Sequence, residues 1–155
     1  MNKEIIKPSK LRGVITPPGD KSISHRSVIF NAIADGPSEI SNYGTGADLQ
    51  STLRVLRSLG ATIQKTNKSL RIVGGQFHEP TNVLNTGNSG TTTRLMAGVL
   101  AGQNFLSIMS GDKSIRSRPM ARIVEPLRIM GANIEGRENG RLCPLIWTDE
   151  PTGQS

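Results

Sequence analysis

Apolar residues recur at helical spacing in two segments of the chain, and each segment ends at a glycine. Their positions are Leu49, Leu53, Leu56 and Leu59 before Gly60, and Met120, Ile123, Val124, Leu127 and Met130 before Gly131. Residues three or four apart share one face of a helix, and glycine is common just past a helix end. The pattern therefore predicts two amphipathic helices, each with a glycine at its C-terminal end.

The two helices belong to a longer internal repeat. Residues 56–63 read LRSLGATI and residues 127–134 read LRIMGANI. Around them, alternating and helical patterns predict matching elements. The first copy has a strand at 14–16, helices at 24–34 and 49–59, a strand at 39–42, and a hairpin of 61–66 with 69–73. The second has a strand at 83–85, helices at 91–101 and 120–130, a strand at 104–109, and a hairpin of 132–135 with 141–146 across 138–140.

Each copy therefore reads β-α-β-α-β-β, which predicts an α/β fold of the α+β type. The repeats are assigned to residues 19–75 and 81–146, joined by a connector rich in turn-forming residues at 74–80.

A glycine-led octet precedes the first helix of each copy. Residues 19–26 read GDKSISHR, and residues 87–94 read GNSGTTTR. Backbone N–H groups at a helix start, hydroxyl donors and an arginine suit a phosphate or a carboxylate. The repetition therefore predicts a site for one or two anionic substrates.

Charge and composition narrow the class of ligand. The chain has 155 residues and a net charge of +7, but its basic residues are scattered and only 3% of residues are aromatic. A single-strand nucleic-acid surface needs aromatic faces for stacking, so small anions are favoured over nucleic acid. The absence of a signal peptide pattern and of a long apolar run predicts a cytoplasmic protein without a membrane span. The lone Cys143, between apolar neighbours, is interpreted as a small core residue.

Three segments carry a resemblance to a known family. Residues 18–26, 85–94 and 111–120 read PGDKSISHR, NTGNSGTTTR and GDKSIRSRPM. They resemble, in the same order, motifs of the enolpyruvyl transferase family, in its EPSP synthase branch, and the resemblance runs from about Ile6 to Leu145. It implies the enolpyruvyl transferase fold of six β-α-β-α-β-β units in two lobes, of which this chain covers two.

The resemblance also implies an activity and a set of site residues. The family transfers the enolpyruvyl group of phosphoenolpyruvate to the 5-hydroxyl of shikimate 3-phosphate and releases phosphate, with no metal or organic cofactor. By position, Lys21 is similar to the lysine that contacts both substrates and assists proton transfer. The implied ligands of shikimate 3-phosphate are Lys21, Ser22 and Arg26. The implied phosphoenolpyruvate residues are Lys21, Asn88, Ser89, Gly90, Thr91, Arg94 and Arg118.

Three residues in or near these segments are not assigned to the binding site. His25 is assigned a structural role, because nothing in the sequence supplies a base–nucleophile partnership for it. His78 is placed in the connector, and Arg116 is interpreted as a solvated neighbour of Arg118.

The family's catalytic aspartate and glutamate lie in units that this chain does not cover. The resemblance therefore implies a complementary C-terminal part as partner, and a chain without turnover when alone. Residues 1–18 are expected to be a strand segment belonging with the second lobe, and 147–155 a polar tail. Two alternatives stay open: a non-catalytic module that retains the anion half-site, and a UDP-N-acetylglucosamine enolpyruvyl transferase. Ser22 after Lys21, and the lack of Cys in 111–119, disfavour the latter.

Overall fold

The two predicted copies fold as helix-and-sheet units. The structure is a computed structural model that describes residues 10, 12–67 and 69–148. The first unit contains α1 (Lys21–Ile33), β1 (Gly36–Ser41), α2 (Ala47–Ser58), β2 (Thr62–Lys65) and β3 (Ser69–Gly74). The second contains β4 (Leu84–Asn85), α3 (Gly90–Leu100), β5 (Ser107–Ser110), α4 (Lys113–Ser117), α5 (Ala121–Ile129), β6 (Ile134–Gly136), α6 (Arg137–Gly140) and β7 (Leu142–Trp147).

Each unit has its own sheet. In the first, β3 lies between β1 and β2 and pairs with both in antiparallel fashion. In the second the order is β4-β5-β7-β6, with β4 and β5 parallel and the other pairs antiparallel. The predicted hairpins are therefore present in both units. The predicted α/β class is confirmed, and the shared α-β-α-β-β order recurs in both units, with the short α4 and α6 added in the second.

The strand predicted at 14–16 is not formed. Residues 12–20 carry no helix or strand, and the side chains of Val14 and Ile15 are exposed. In the second unit the corresponding strand, β4, pairs with β5, but in the part of the chain that is described nothing pairs with 14–16. Most of the segments predicted at the two ends, a strand segment at 1–18 and a polar tail at 147–155, cannot be compared, because residues 1–9, 11 and 149–155 lie outside the described residues.

Each unit contains an equivalent contact between an arginine and a backbone carbonyl, and the sequence repeat did not predict it. Arg57, near the end of α2, donates from Nε and Nη2 to the carbonyl oxygen of Ile63 at 3.3 and 3.1 Å. Arg128 on α5 donates to the carbonyl oxygen of Ile134 from the same two nitrogens, at 2.9 and 2.5 Å. Each arginine therefore ties its helix to the first strand of the following hairpin.

Glycines end both helices as predicted. Gly60 and Gly131 have φ of +108° and +99°, and in this region a residue with a Cβ is strained. The predicted turn at 138–140 also has positive φ at all three residues. These residues belong to the short α6, whose dihedral angles at Glu138 and Asn139 are not those of a regular helix.

The core fills the space between the helices and the sheets. Helix α2 packs between α1 and α3, and α3 in turn contacts α5. The four leucines predicted to face the core at 49–59 are all buried, whereas Met130 of the corresponding predicted face is 80% exposed. Trp147, assigned to the polar tail, is instead the buried last residue of β7, paired with Ser107 and Ile134. Among the described residues, no helix has the length and hydropathy needed to cross a bilayer.

Candidate functional site

The first octet forms the start of α1. Asp20 is the N-cap, and its carboxylate accepts a hydrogen bond of 2.7 Å from the backbone N–H of Ile23. The hydroxyl of Ser24 donates to the Asp20 carbonyl at 2.6 Å and accepts from the N–H of Gly44 at 2.8 Å. A Cβ on Gly19 would lie 2.1 Å from the carbonyl oxygen of Asn42, so only glycine allows this close approach. The octet is thereby held against the loop before α2.

Lys21, the first residue of α1, forms an ion pair with Asp48 in the first turn of α2. A cavity of about 400 Å³ lies beside this pair, lined by both residues and by the loop residues Gly44, Thr45 and Gly46. The hydrogen bond from Lys21 lowers the pKa of the Asp48 carboxyl below its usual value, and the hydroxyl of Ser89 acts in the same direction. The charged form of Asp48 is thus favoured at neutral pH.

Asp48 is not among the site residues predicted from the sequence. An acidic residue in the first turn of a helix is common, because the helix dipole favours it there. Its position in the sequence therefore does not by itself indicate a role in a site. The one available signal was its position after the Gly44-Thr45-Gly46 turn, which resembles the small residues of the two octets.

The second octet forms the start of α3. Ser89 is the N-cap, and its hydroxyl accepts from the backbone N–H of Thr92 at 3.1 Å. A Cβ on Gly90 would lie 2.8 Å from Nη1 of Arg94 and 3.0 Å from Nη1 of Arg118. Two guanidinium groups therefore converge above a residue without a side chain.

Arg118 is anchored in this position from two sides. Its Nη2 donates to the side-chain oxygen of Asn88 at 2.8 Å and to the hydroxyl of Ser114 at 3.1 Å. Four of the predicted phosphoenolpyruvate residues, Asn88, Gly90, Arg94 and Arg118, consequently lie together. The start of a helix with two guanidinium groups beside it is an arrangement that binds phosphate or carboxylate.

The two octets meet through Asp48. Lys21 forms an ion pair with the Asp48 carboxylate, and the side chain of Ser89 also lowers the pKa of that carboxyl. The hydroxyl of Thr92 donates to the backbone carbonyl of Asp48 at 3.1 Å. Lys21 of the first octet and the Ser89–Gly90 start of α3 are therefore parts of one connected site.

Three predicted site residues make fewer contacts. Ser22 and Arg26 lie one turn apart on α1, and both are exposed. Arg26 borders a groove between α1 and α3, with Phe30 and Leu95 among its neighbours. Thr91 is half-buried in the first turn of α3. Hydrogen bonds from these side chains to other described residues are absent, so their donors are free for a ligand.

The histidines and the cysteine lie away from the ligand-facing surface. His25 is fully buried on α1. Burial lowers the pKa of its ring, and the charge of Lys21 lowers it further by a smaller amount. His78 packs over Gly60 in the connector, and Arg116 is exposed at the end of α4. Cys143 is fully buried, and burial raises the pKa of its thiol to about 11. The interpretation of Cys143 as a core residue is confirmed, because a buried thiol with a raised pKa is inert.

Comparisons with known proteins match this chain to a family. The family model of EPSP synthase (3-phosphoshikimate 1-carboxyvinyltransferase) matches residues 5–154. The 3-phosphoshikimate 1-carboxyvinyltransferase of Herpetosiphon aurantiacus is 51% identical over 149 residues, which are 94% of this chain and 35% of that protein. The protein of that name from Chloroflexus aurantiacus is 55% identical over 142 residues, or 89% of this chain and 33% of that protein.

A solved structure agrees with the match. EPSP synthase from Acinetobacter baumannii superimposes with a TM-score of 0.83 at 42% identity, covering 88% of this chain and 32% of that one. The chain therefore spans about a third of the length of the curated relatives it matches. Because the family model extends over nearly the whole sequence, and both the relatives and the fold agree with it, the chain belongs to the EPSP synthase family.

Proposed function

We propose that this chain supplies part of the site that transfers the enolpyruvyl group of phosphoenolpyruvate to the 5-hydroxyl of shikimate 3-phosphate. The observation that carries the proposal is the convergence of Arg94 and Arg118 on Gly90, at the start of the helix whose Thr92 hydroxyl bonds the carbonyl of Asp48, the ion-pair partner of Lys21. Both substrates are polyanions, and fixed cations that neutralise them allow the reacting carbon and oxygen to approach.

The roles divide between the two octets. Gly90, Arg94 and Arg118 bind the phosphate and carboxylate of phosphoenolpyruvate, and the remaining contacts come from Asn88, Ser89 and Thr91. Ser22 and Arg26, with free donors on α1, bind shikimate 3-phosphate. Lys21, which precedes Ser22 on α1 and pairs with Asp48, contacts both substrates. Its partner Asp48 holds the ammonium group in place until a substrate arrives.

The net reaction balances without a cofactor. A bond forms between the 5-oxygen and C2 of phosphoenolpyruvate, the bond between C2 and the bridging phosphate oxygen breaks, and the hydroxyl proton leaves with phosphate. Moving protons in such a step requires groups that exchange them, and we assign Lys21 as one of these. The others belong to the two thirds of the family's length that this chain does not span, so we propose a complementary C-terminal part of the synthase as its partner.

Reconstitution tests this function. The chain is mixed with a polypeptide corresponding to the remaining part of the Herpetosiphon aurantiacus relative, and phosphate release from the two substrates is measured. We expect turnover by the mixture and none by either part alone. Turnover by this chain alone would contradict the division of roles. Phosphoenolpyruvate binding without turnover in the mixture would favour a non-catalytic anion-binding module.

A pair of lysine variants makes the test specific. Lys113 occupies the same place in the second Gly-Asp-Lys-Ser-Ile segment at 111–115 and is exposed. Lys21→Met is expected to abolish the reconstituted turnover while the far-ultraviolet circular dichroism is unchanged. Lys113→Met is expected to retain it. Equal turnover of the two variants would remove Lys21 from its assigned role.

A further inference from the structure

The sheets of the two units differ at one edge. In the second unit, β4 lies outside β5 and runs parallel to it. The strand of the first unit that corresponds to β5 is β1, and β1 is the edge strand of its sheet. Among the described residues, none pairs with the outer side of β1. The first sheet therefore ends at the position where the second sheet continues with one more strand.

The pairing register shows which residues of the two edges correspond. The pairs run from the equivalent first strands of the hairpins, through the second strands, to β1 and β5. They give two matching series, Ile63–Ile72–Ser38 and Ile134–Trp147–Ser107. Counting on along the strands, Ile40 corresponds to Met109 and Ser41 to Ser110, and β4 pairs with both Met109 and Ser110. The end of β1 is therefore the equivalent of the part of β5 that holds β4.

The backbone of β1 directs free hydrogen-bonding groups to this edge. Ser69 pairs with Ser41, but its carbonyl accepts from the N–H of Thr66 on the β2 side at 2.9 Å. Peptide groups alternate along an antiparallel strand, so Ser41 faces away from β3. Pro37 agrees, because proline fits a strand where its missing N–H points away from the ladder. The N–H groups of Glu39 and Ser41 therefore point outward from the sheet.

The side chain of Ile40 is less covered than its equivalent in the second unit. Met109 is fully buried, and its neighbour on β4, Leu84, is 1% exposed. Ile40 packs against the core but stays partly exposed. The neighbour that covers Met109 is apolar, so an apolar residue on an added strand would complete the burial of Ile40 in the same way.

The segment before α1 is unsuited to this edge. In the second unit, Thr86 just after β4 donates its backbone N–H to the carbonyl of Ser110 at 2.9 Å. The two octets align Thr86 with Pro18, since each precedes the leading glycine. Pro18 has no N–H to donate to Ser41, and Val14 of the same segment is fully exposed. The same segment of a second copy is unsuited for the same reason.

We propose that the outer edge of β1 is the docking site for a strand of the complementary C-terminal part, which adds parallel to β1 as β4 adds to β5. The strand has an apolar residue beside Ile40. Two residues later it has a residue other than proline, whose N–H donates to the carbonyl of Ser41. An unpaired strand edge is a ready template for such addition, in which main-chain hydrogen bonds supply the affinity.

The proposal deepens the proposed function by saying where the partner attaches, and it rests on that function for the identity of the partner. This chain spans 35% of the Herpetosiphon aurantiacus relative, so most of that length is available to supply the strand.

Amide hydrogen exchange locates the docking edge. The nitrogen-15-labelled full chain is measured alone and with an excess of the polypeptide used for reconstitution, without substrates. We expect the N–H groups of Glu39 and Ser41 to exchange about tenfold more slowly in the mixture, because both join a ladder. No residue of β2 should gain protection, since its equivalent β6 is also an edge strand. Association without slower exchange at Glu39 and Ser41 would overturn the proposal.

A matched pair of proline variants tests the same edge by affinity. Ser41→Pro removes one outward N–H and keeps the hydrogen bonds between β1 and β3. Lys65→Pro is the control at the outer edge of β2, where Lys65 faces outward because Thr66 faces Ser69. Isothermal titration should show association about tenfold weaker for Ser41→Pro than for Lys65→Pro, the loss of one hydrogen bond. Equal affinities would contradict docking at β1, and if Ser41→Pro does not fold, the exchange measurement decides.

The outcomes also separate this proposal from the proposed function. Association with protection of Glu39 and Ser41, but without phosphate release, supports the docking edge and contradicts the function. Phosphate release by the mixture without this protection supports the function and overturns the docking edge. If the chain alone is protected at both residues and sediments as a dimer, the edge binds a second copy and the proposed occupant is wrong.

Discussion

At the scale of single residues, Gly90 is the position where the smallest change has the largest expected effect on the site. Its missing side chain leaves room for Arg94 and Arg118 to face the same point. The atoms that a Cβ would meet are the far ends of flexible side chains, so the backbone does not need to move. A larger residue at this position therefore displaces the two guanidinium groups without requiring a change in the backbone.

We expect Gly90→Ala to bind phosphoenolpyruvate about tenfold more weakly, or about 1.4 kcal/mol, because the two guanidinium groups are pushed apart. Isothermal titration of the full chain measures this loss, and thermal unfolding checks that the fold is retained. Gly98→Ala on the same helix is the control, because no atom lies within 4 Å of its added Cβ. Equal affinity of the two variants would contradict the placement of the anion at Gly90.

His25 predicts how stability depends on pH. Burial lowers the pKa of its ring from the usual 6.5, so the unfolded chain binds a proton more readily than the folded one. The stabilisation is therefore complete above about pH 6.5 and is lost as the pH falls towards the folded value. We expect the free energy of unfolding in urea to decrease between about pH 7 and pH 5.

The His25→Asn variant isolates this contribution. It should show a flatter dependence over the same range, because no group titrates at this position. The loss due to Asp48 occurs at lower pH, since the pKa of that carboxyl is lowered. An identical slope for parent and variant would show that the pKa of His25 is the same in the folded and unfolded states.

At the scale of elements, both octets act through the start of a helix. Asp20 caps α1 and Ser89 caps α3, each with its side-chain oxygen on a backbone N–H of the first turn. These bonds span three residues, so the sequence was sufficient to predict a helix start at each octet. The predicted bounds differ by only a few residues from those of α1 and α3.

We expect Asp20→Ala to lower the free energy of unfolding by about 1 kcal/mol, the usual loss when an N-cap is removed. Asp20→Asn should remain within about 0.3 kcal/mol of the parent, because asparagine caps as well as aspartate does. Urea denaturation at pH 7.5 measures both. If the two variants lose the same amount, the charge of Asp20 rather than its capping bond stabilises α1.

At the scale of the whole molecule, the groove between α1 and α3 leaves apolar surface exposed. Phe30, Ile33 and Leu95 are 65%, 46% and 38% exposed, and they surround a cavity of about 290 Å³ with Arg26 at its edge. Exposed apolar grooves with a polar rim are often sites where other molecules bind. In the isolated chain it should bind apolar dyes.

We expect the full chain to enhance the fluorescence of anilinonaphthalene sulfonate under native conditions, and Phe30→Ser to remove most of the enhancement. Ile129→Ser is the control, because Ile129 is also exposed but lies at the end of α5 outside the groove. Loss of fluorescence in both variants alike would show that the dye reports general apolar exposure and not the groove.

The sequence by itself determined the repeat, the order of its elements and the helix starts that carry both octets. Helical periodicity, N-caps and C-terminal glycines act over three or four residues, so they are readable without knowledge of the fold. The burial of the α2 leucines follows from the same spacing. The strand at 14–16 was mispredicted because strand formation also needs pairing with a partner strand, and no described residue pairs with this segment.

Only the tertiary structure decided which of these pieces form the site. The packing of α2 between α1 and α3 brings Asp48 to Lys21, 27 residues away in the chain, and Thr52 to Thr92, 40 residues away. Arg118 reaches Asn88 across 30 residues because the start of α3 lies beside α4. Contacts of this range depend on how helices pack and not on local pattern. For that reason Asp48 and the contact between Thr52 and Thr92 were not predicted from the sequence.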